Sequence, residues 1–306
     1  MSAPSSSAVV DRRTSVLATL ALLGMTATWG STFFLIKDLL DRVPVLDFLA
    51  LRFAMASVAL LLIAPRALGK LSPAARRHAV VLGLLYGVAQ ILQTTGLAHT
   101  PASVSGFITG MYVICTPLFA AALLKQRISG LTWGAVVLAM SGLAVLTLSG
   151  LSVGFGFGEA ITLVSALLYA LHIVGLGAWS TAREAMGMTI IQLVVITLVC
   201  LVVTAPNGVV LPSTTGDWLS VVYMAVVPGA LALAGQTWAQ AHIAPTRSAI
   251  IMSMEPVFAA FFAILLGGEA MTVRIGVGGL MVLTAMLVVE LLPRRRIEAE
   301  VQHIAV

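Results

Sequence analysis

The chain has 306 residues, 59% of them hydrophobic and only 9% charged, with a mean hydropathy of +1.06. Soluble domains carry about 25% charged residues, so this composition excludes a water-facing surface and implies an integral membrane protein. The net charge of +5 points to no nucleic acid, because its Lys and Arg lie between apolar runs, where they orient a membrane protein.

A helix crosses a bilayer in about 20 apolar residues. Ten such spans follow one another at 16–36, 44–64, 79–98, 103–124, 131–149, 157–179, 187–204, 218–240, 247–266 and 275–292. The first lacks a small-x-small cleavage site and runs on as WGSTFFLIK, so it reads as a retained helix, not a signal peptide. Residues 1–15 and 293–306 are short cytoplasmic tails, and the connections leave no room for a soluble domain.

Polar groups within the spans need a reason, because the bilayer does not solvate them. Span 1 carries Trp29, Ser31 and Thr32, then Lys37 at its end, either an interfacial anchor or a contact for a substrate carboxylate. Span 2 carries Arg52 about eight residues in, suited to an ion pair with Asp47, to the C-terminal end of a neighbouring helix, or to an anionic substrate group. Asp47, Glu159 and Glu290 lie near span ends, within reach of water.

Gln90, Gln93 and Thr94 share one face of span 3 at i, i+3, i+4. Tyr112 and Thr116 do so in span 4, Tyr169 and His172 in span 6, and Gln236 and Gln240 in span 8. Polar faces of lipid-embedded helices turn inward. These stripes therefore predict either interhelical hydrogen bonding or, as their long amides and aromatic hydroxyls favour, a central substrate cavity. Gly83 with Gly87 and Gly106 with Gly110 are small-xxx-small pairs that let helices approach closely. Cys115 and Cys200 sit in apolar runs and read as free thiols.

Glu255 lies about nine residues into span 9, near the midplane, beside Pro256. Proline removes a backbone donor and frees a carbonyl one turn earlier. Glu255 is thus a candidate proton carrier or gate, or else a group that satisfies the loosened backbone. Pro117 and Pro256 are the candidate bending points.

The two halves repeat. QTTGLAH at 93–99 returns as QTWAQAH at 236–242, 143 residues later, and the Pro-Leu-Phe-Ala-Ala from Pro117 echoes the Pro-Val-Phe-Ala-Ala from Pro256 at an offset of 139. With the N-terminus in the cytoplasm, thirteen of the 17 Lys and Arg lie inside and three outside, Arg52 being within a span. Five spans per half is odd, so the second half enters the membrane inverted. The expectation is an all-α polytopic membrane protein of ten transmembrane helices, arranged as two inverted five-helix repeats over 16–149 and 157–292, with both termini cytoplasmic. Such repeats place a site near the midplane and permit alternating access.

WGSTFFLIK at 29–37, PVLDFLALRF at 44–53, TGMYVICTPLFAAALL at 109–124, GEAITLVSALLYAL at 158–171 and MEPVFAAFFAILLGGE at 254–269 also carry a likeness. Together they resemble the drug/metabolite transporter superfamily, in its EamA-like ten-helix branch. The resemblance implies a cytoplasmic-membrane carrier, commonly an exporter of amino acids, other metabolites or drugs. Lys125-Gln126-Arg127-Ile128 departs from the Gly-Glu-Arg-Leu pattern common in first halves, whereas Gly268-Glu269 keeps it.

No nucleophile with its base, HExxH helix or phosphate loop is present, so an enzyme and an ATP-driven pump both lack their chemistry. His172 alone makes no metal site, and no cofactor is implied. The reading is a secondary transporter of a small-molecule substrate, as monomer or homodimer in membrane lipid. Coupling to protons, uncoupled facilitation and a channel-like permease all stay open.

Overall fold

A computed structural model describes residues 12–100, 102–147, 156–204, 208–267 and 271–291, and among these every regular element is helical. The first eleven residues and the tail from 293 lie outside the described residues. The first half comprises α1 (Arg12–Gly30), α2 (Phe33–Leu40), α3 (Val45–Ile63), α4 (Pro73–His99), α5 (Ala102–Gly110), α6 (Tyr112–Leu124) and α7 (Gly130–Thr147). The second comprises α8 (Phe157–Trp179), α9 (Ala185–Thr204), α10 (Thr215–Ala225), α11 (Ala232–Gln240), α12 (Pro245–Met252), α13 (Glu255–Gly267) and α14 (Val273–Leu291). A π-helical turn at Val226–Leu231 joins α10 to α11.

Five helices are long and apolar enough to cross a membrane unaided: Val45–Ile63, Pro73–His99, Phe157–Trp179, Ala185–Val202 and the joined Thr215–Gln240. Leu62, Val137, Val202, Leu219 and Leu280 stand exposed, the outward apolar surface that lipid requires. The chain is a polytopic all-α membrane protein.

Four of the ten expected spans are interrupted, three of them for a visible local reason. Span 1 breaks between α1 and α2, where Ser31 Oγ donates to Thr28 O and Thr32 Oγ1 to Trp29 O, side-chain bonds that compete with the helix. In span 9 the Pro256 ring would strike the Met252 carbonyl four residues back, and α12 ends at Met252. In span 8 Pro228 threatens the Met224 carbonyl in the same way, and the π turn opens around it. Span 4 breaks at Met111, between α5 and α6.

The packing follows a pseudo-two-fold pattern. α4 packs on α8 and α9 of the second half, as α11 and α10 pack on α1 and α3 of the first. α5 and α6 pack on α8, as α12 and α13 pack on α1, while α3 meets α9 and α7 meets α14 across the axis. Even the helix starts correspond. Ser72 caps α4 by accepting from Ala75 N, and Thr214, 142 residues later, caps α10 by accepting from Asp217 N. Each cap is clamped from the other half: Arg42 bonds Asp217, and Glu184 Oε1 accepts from Ser72 N at 2.9 Å.

One sequence expectation shifts. The prolines had been paired at an offset of 139, but the helix breaks fall at Met111 and Met254, 143 apart, the spacing of Gln93 and Gln236. Pro256 lies in the first turn of α13, whereas Pro117 lies inside α6, nearly two turns past its break at Met111. The two prolines are not structural equivalents. The matched features are the breaks.

Among the glycine pairs, Gly83 does bring helices together: a Cβ there would stand 2.9 Å from Val195 Cβ and 3.0 Å from Gln192 Cα on α9. Gly106 meets nothing within 4 Å. Cys200 is buried and Cys115 half-buried, both as free thiols.

Candidate functional site

A cavity of roughly 700 Å³, its mouth included, opens between the halves. Trp29, Thr32, Gln90, Gln93, Thr94, Tyr112, Tyr169, His172, Gln236, Arg52 and Glu255 line it, all of them candidates from the sequence. Ile36, Tyr86, Leu97, Thr109, Ile173 and Met252 complete the wall.

Hydrogen bonds hold this wall in place. Tyr169 Oη donates to Gln93 Oε1 at 2.7 Å, and Gln93 Nε2 donates to Thr109 Oγ1 at 3.3 Å, so one chain ties α8, α4 and α5. Gln90 Nε2 donates to Tyr86 Oη at 3.0 Å, and Tyr86 stacks on His172. The π turn supplies two acceptors. The Met224 carbonyl that precedes it takes Arg52 Nε at 3.2 Å, and the Pro228 carbonyl takes Trp29 Nε1 at 2.8 Å. A break in one helix therefore orients two cavity residues on others.

Neither charged residue of the wall forms an ion pair among the described residues. Arg52 is 4% exposed, with its guanidinium 5.3 Å from the Phe53 ring centroid and 6.0 Å from that of Phe48. Of the partners open to it from the sequence, Asp47 is buried in the first turn of α3 and does not pair with it. Arg52 meets the helix-end alternative, the Met224 carbonyl near the C-terminal end of α10. Glu255 opens α13 with no hydrogen bond or cation on its carboxylate among the described residues. The backbone places it there: at Gly30 a Cβ would lie 2.9 Å from the Glu255 carbonyl and 2.8 Å from Ala259 N, so only glycine lets α1 and α13 meet. The Tyr112 hydroxyl also has no hydrogen-bond partner among the described residues, although the side chain is buried. The cavity thus offers a cation, a carboxyl and a free hydroxyl among aromatic rings and amides. It can hold a molecule with both acidic and basic groups.

Several sequence candidates lie elsewhere. Ser31 bonds the Tyr223 hydroxyl at 2.6 Å behind the wall. Thr116 is sealed with its hydroxyl unpaired, and Gln240, 1% exposed, donates to the Ile173 carbonyl. Pro117 and Pro256 lie off the cavity, and the Lys37 side chain lies outside the described residues. Tyr86 was missed although it extends the stripe of Gln90 and Gln93 by one turn. Gln192, which bonds His172, was missed as a lone amide in the apolar run of α9.

The EamA-like transporter family matches this chain twice, over residues 16–148 and 156–291. An uncharacterized transporter of Archaeoglobus fulgidus is 28% identical over 282 residues, 90% of this chain and 86% of that protein. The uncharacterized inner membrane transporter YedA of Escherichia coli is 25% identical over 263 residues, 82% of this chain and 83% of its own length. A solved crystal structure shares the fold with a TM-score of 0.74 at 17% identity, covering 91% of this chain and 97% of the other.

Proposed function

Because the chain belongs to the EamA-like transporter family and is a membrane transporter, we propose that it exports small amphoteric metabolites, amino acids and related compounds, across the cytoplasmic membrane by alternating access. The observation that carries this reading is Arg52 and Glu255 on one cavity wall, neither with an opposite charge beside it among the described residues. A buried charge without a partner is costly, and a substrate carrying the complementary groups supplies what the protein does not. Export follows the family resemblance.

With both termini in the cytoplasm, the Ile36 and Leu97 side of the cavity faces outward. Glu255 is the group for proton coupling, since a carboxyl that alternates between protein and water can take up and release a proton. Cysteines at Gln93, Tyr112 or His172 should react with small water-soluble thiol reagents and be protected by substrate.

The deciding experiment is counterflow of radiolabelled L-amino acids in proteoliposomes. Exchange above empty vesicles for at least one of them, lost in Arg52→Met, is expected. Exchange of none would overturn the substrate reading. Glu255→Gln should keep exchange and lose proton-driven accumulation, and unchanged accumulation would remove Glu255 from coupling.

A further inference from the structure

His172 has the most completely specified surroundings of any cavity residue. Its ring stacks on Tyr86 with centroids 5.0 Å apart and planes 30° apart. Its Nε2 lies 2.8 Å from Gln192 Oε1. Gln192 is fully buried on α9, and its own Nε2 donates to the Met188 carbonyl one turn back. That second bond fixes the amide with its oxygen, not its nitrogen, against the imidazole. The close approach of α4 and α9 at Gly83 holds Gln192 in this position.

An acceptor at Nε2 requires the proton to be there, and a neutral imidazole then carries a lone pair at Nδ1. Among the described residues Nδ1 has no hydrogen-bond partner, and it is the ring nitrogen left to the cavity that His172, although only 1% exposed, helps to line. The chargeable groups around the same space are Arg52 on α3, Tyr86 on α4, Tyr112 on α6, Tyr169 on α8 and Glu255 on α13. None of them bonds the ring nitrogens.

We propose that Gln192 is a positioning residue that holds His172 in the neutral Nε2–H tautomer, and that Nδ1 is a specificity-determining acceptor selecting a substrate that brings an N–H donor. The proposal rests on reading this cavity as the substrate site, and it separates two kinds of recognition. Glu255 reads positive charge, whereas His172 reads the hydrogen atom. A trimethylated amine has the charge without the hydrogen, and it is the substrate this site rejects.

The first test needs no substrate. In the full-length protein labelled with ¹⁵N-histidine, in lipid nanodiscs, the His172 signals are identified by their loss in His172→Gln. At neutral pH they should show Nε2 protonated and Nδ1 bare. In Gln192→Glu both nitrogens should be protonated, and in Gln192→Met the two tautomers should mix. An imidazolium or an Nδ1–H tautomer in the unmodified protein would overturn the assignment. The second test is competition in counterflow between the best-exchanged amino acid and its N,N,N-trimethyl betaine. A preference of roughly tenfold for the free amine is expected, the worth of one hydrogen bond to a charged donor. His172→Gln keeps an amide for Gln192 but loses the Nδ1 acceptor, so it should abolish the preference. His172→Asn places its amide where Nδ1 was and should keep it. A preference that survives His172→Gln would sink the specificity role. Failure of every amino acid to exchange would sink the substrate reading, while the tautomer measurement would still decide the role of Gln192.

Discussion

The strings Gln93–His99 and Gln236–His242 are near-copies with opposite surroundings. Locally they agree: His99 and His242 each place Nδ1 on the carbonyl four residues back, at 2.8 and 2.9 Å. In the first, Gln93, Thr94 and Leu97 all line the cavity. In the second only Gln236 does, and it is 1% exposed where Gln93 is half-buried. The difference lies in what covers them. α5, beside the first string, packs mainly on α4, α7 and α8, whereas α12, beside the second, packs on α1, α6, α7, α8 and α14. The first string is thus the less covered of the two. Around the second lie Ser180, Gln236, Gln240, Thr246 and Ser248, five of the sealed polar side chains with an unpaired atom among the described residues. Such atoms are rare, at a cost of about 1–3 kcal/mol each. They are the groups that a water-filled passage at that end would satisfy.

The comparison breaks most severely where the two strings differ in size. At Gly96 a Cβ would collide with Thr162 Oγ1 and lie 2.9 Å from the Gly158 carbonyl on α8. Its counterpart Ala239 already carries a methyl and is fully buried. Gly96→Ala should therefore cost about 1–3 kcal/mol of overpacking strain, read as a clear drop in Tm and transport. Ala239→Gly should cost no more than about 1 kcal/mol. Equal Tm values for the two variants would show that the halves are equally close.

Accessibility sharpens the same contrast. With Cys115 and Cys200 replaced by Ala, Gln93→Cys, half-buried on the cavity wall, should react with a membrane-impermeant thiol reagent added outside whole cells. Gln240→Cys should be at least roughly tenfold slower from either side, consistent with burial in a packed interior. Active exchange should raise the Gln240→Cys rate from the inner side. Equal rates at rest would remove the opposition between the two ends.

The repeat, the spans and most of the cavity wall were legible because inward polar stripes at helical spacing stand out in an apolar chain. The helix breaks were not. Pro256 and Pro228 end or bulge their helices, yet Pro117 sits within α6, so proline alone does not mark a break. The alignment slipped by about one turn there, because Pro-x-Phe-Ala-Ala matched better than the breaks did. A helix end was one of the partners open to Arg52, but the sequence could not choose it over Asp47, since the Met224 carbonyl that accepts the bond leaves no trace in side chains. Gln240 shares the stripe of Gln236 but is covered by packing, which periodicity does not report.

The smallest expected effect concerns the clamps at the two ends, which occupy matching places with different chemistry. Arg42 joins Asp38 at 2.6 Å and Asp217 at 2.7 Å, an ion-pair network. Glu184 instead accepts from the Ser72 backbone N–H and from the Thr181 hydroxyl. The Ser72 amide holds the Glu184 carboxyl below its ordinary value of 4.5, with smaller help from Thr181 and Arg183. A depressed folded-state value means that the contribution is complete above the ordinary value and fades as pH falls through the depressed one. Glu184→Gln should therefore lower Tm at pH 7 by no more than about 1 °C, since the group is near the surface. Its difference from the unmodified protein should vanish in acid. Salt separates the ends further: added salt screens the Arg42 network and should narrow the Tm deficit of Arg42→Gln, while leaving that of Glu184→Gln nearly unchanged. If both deficits respond to salt alike, the Ser72 amide is not what holds Glu184, and the two clamps are the same electrostatic device.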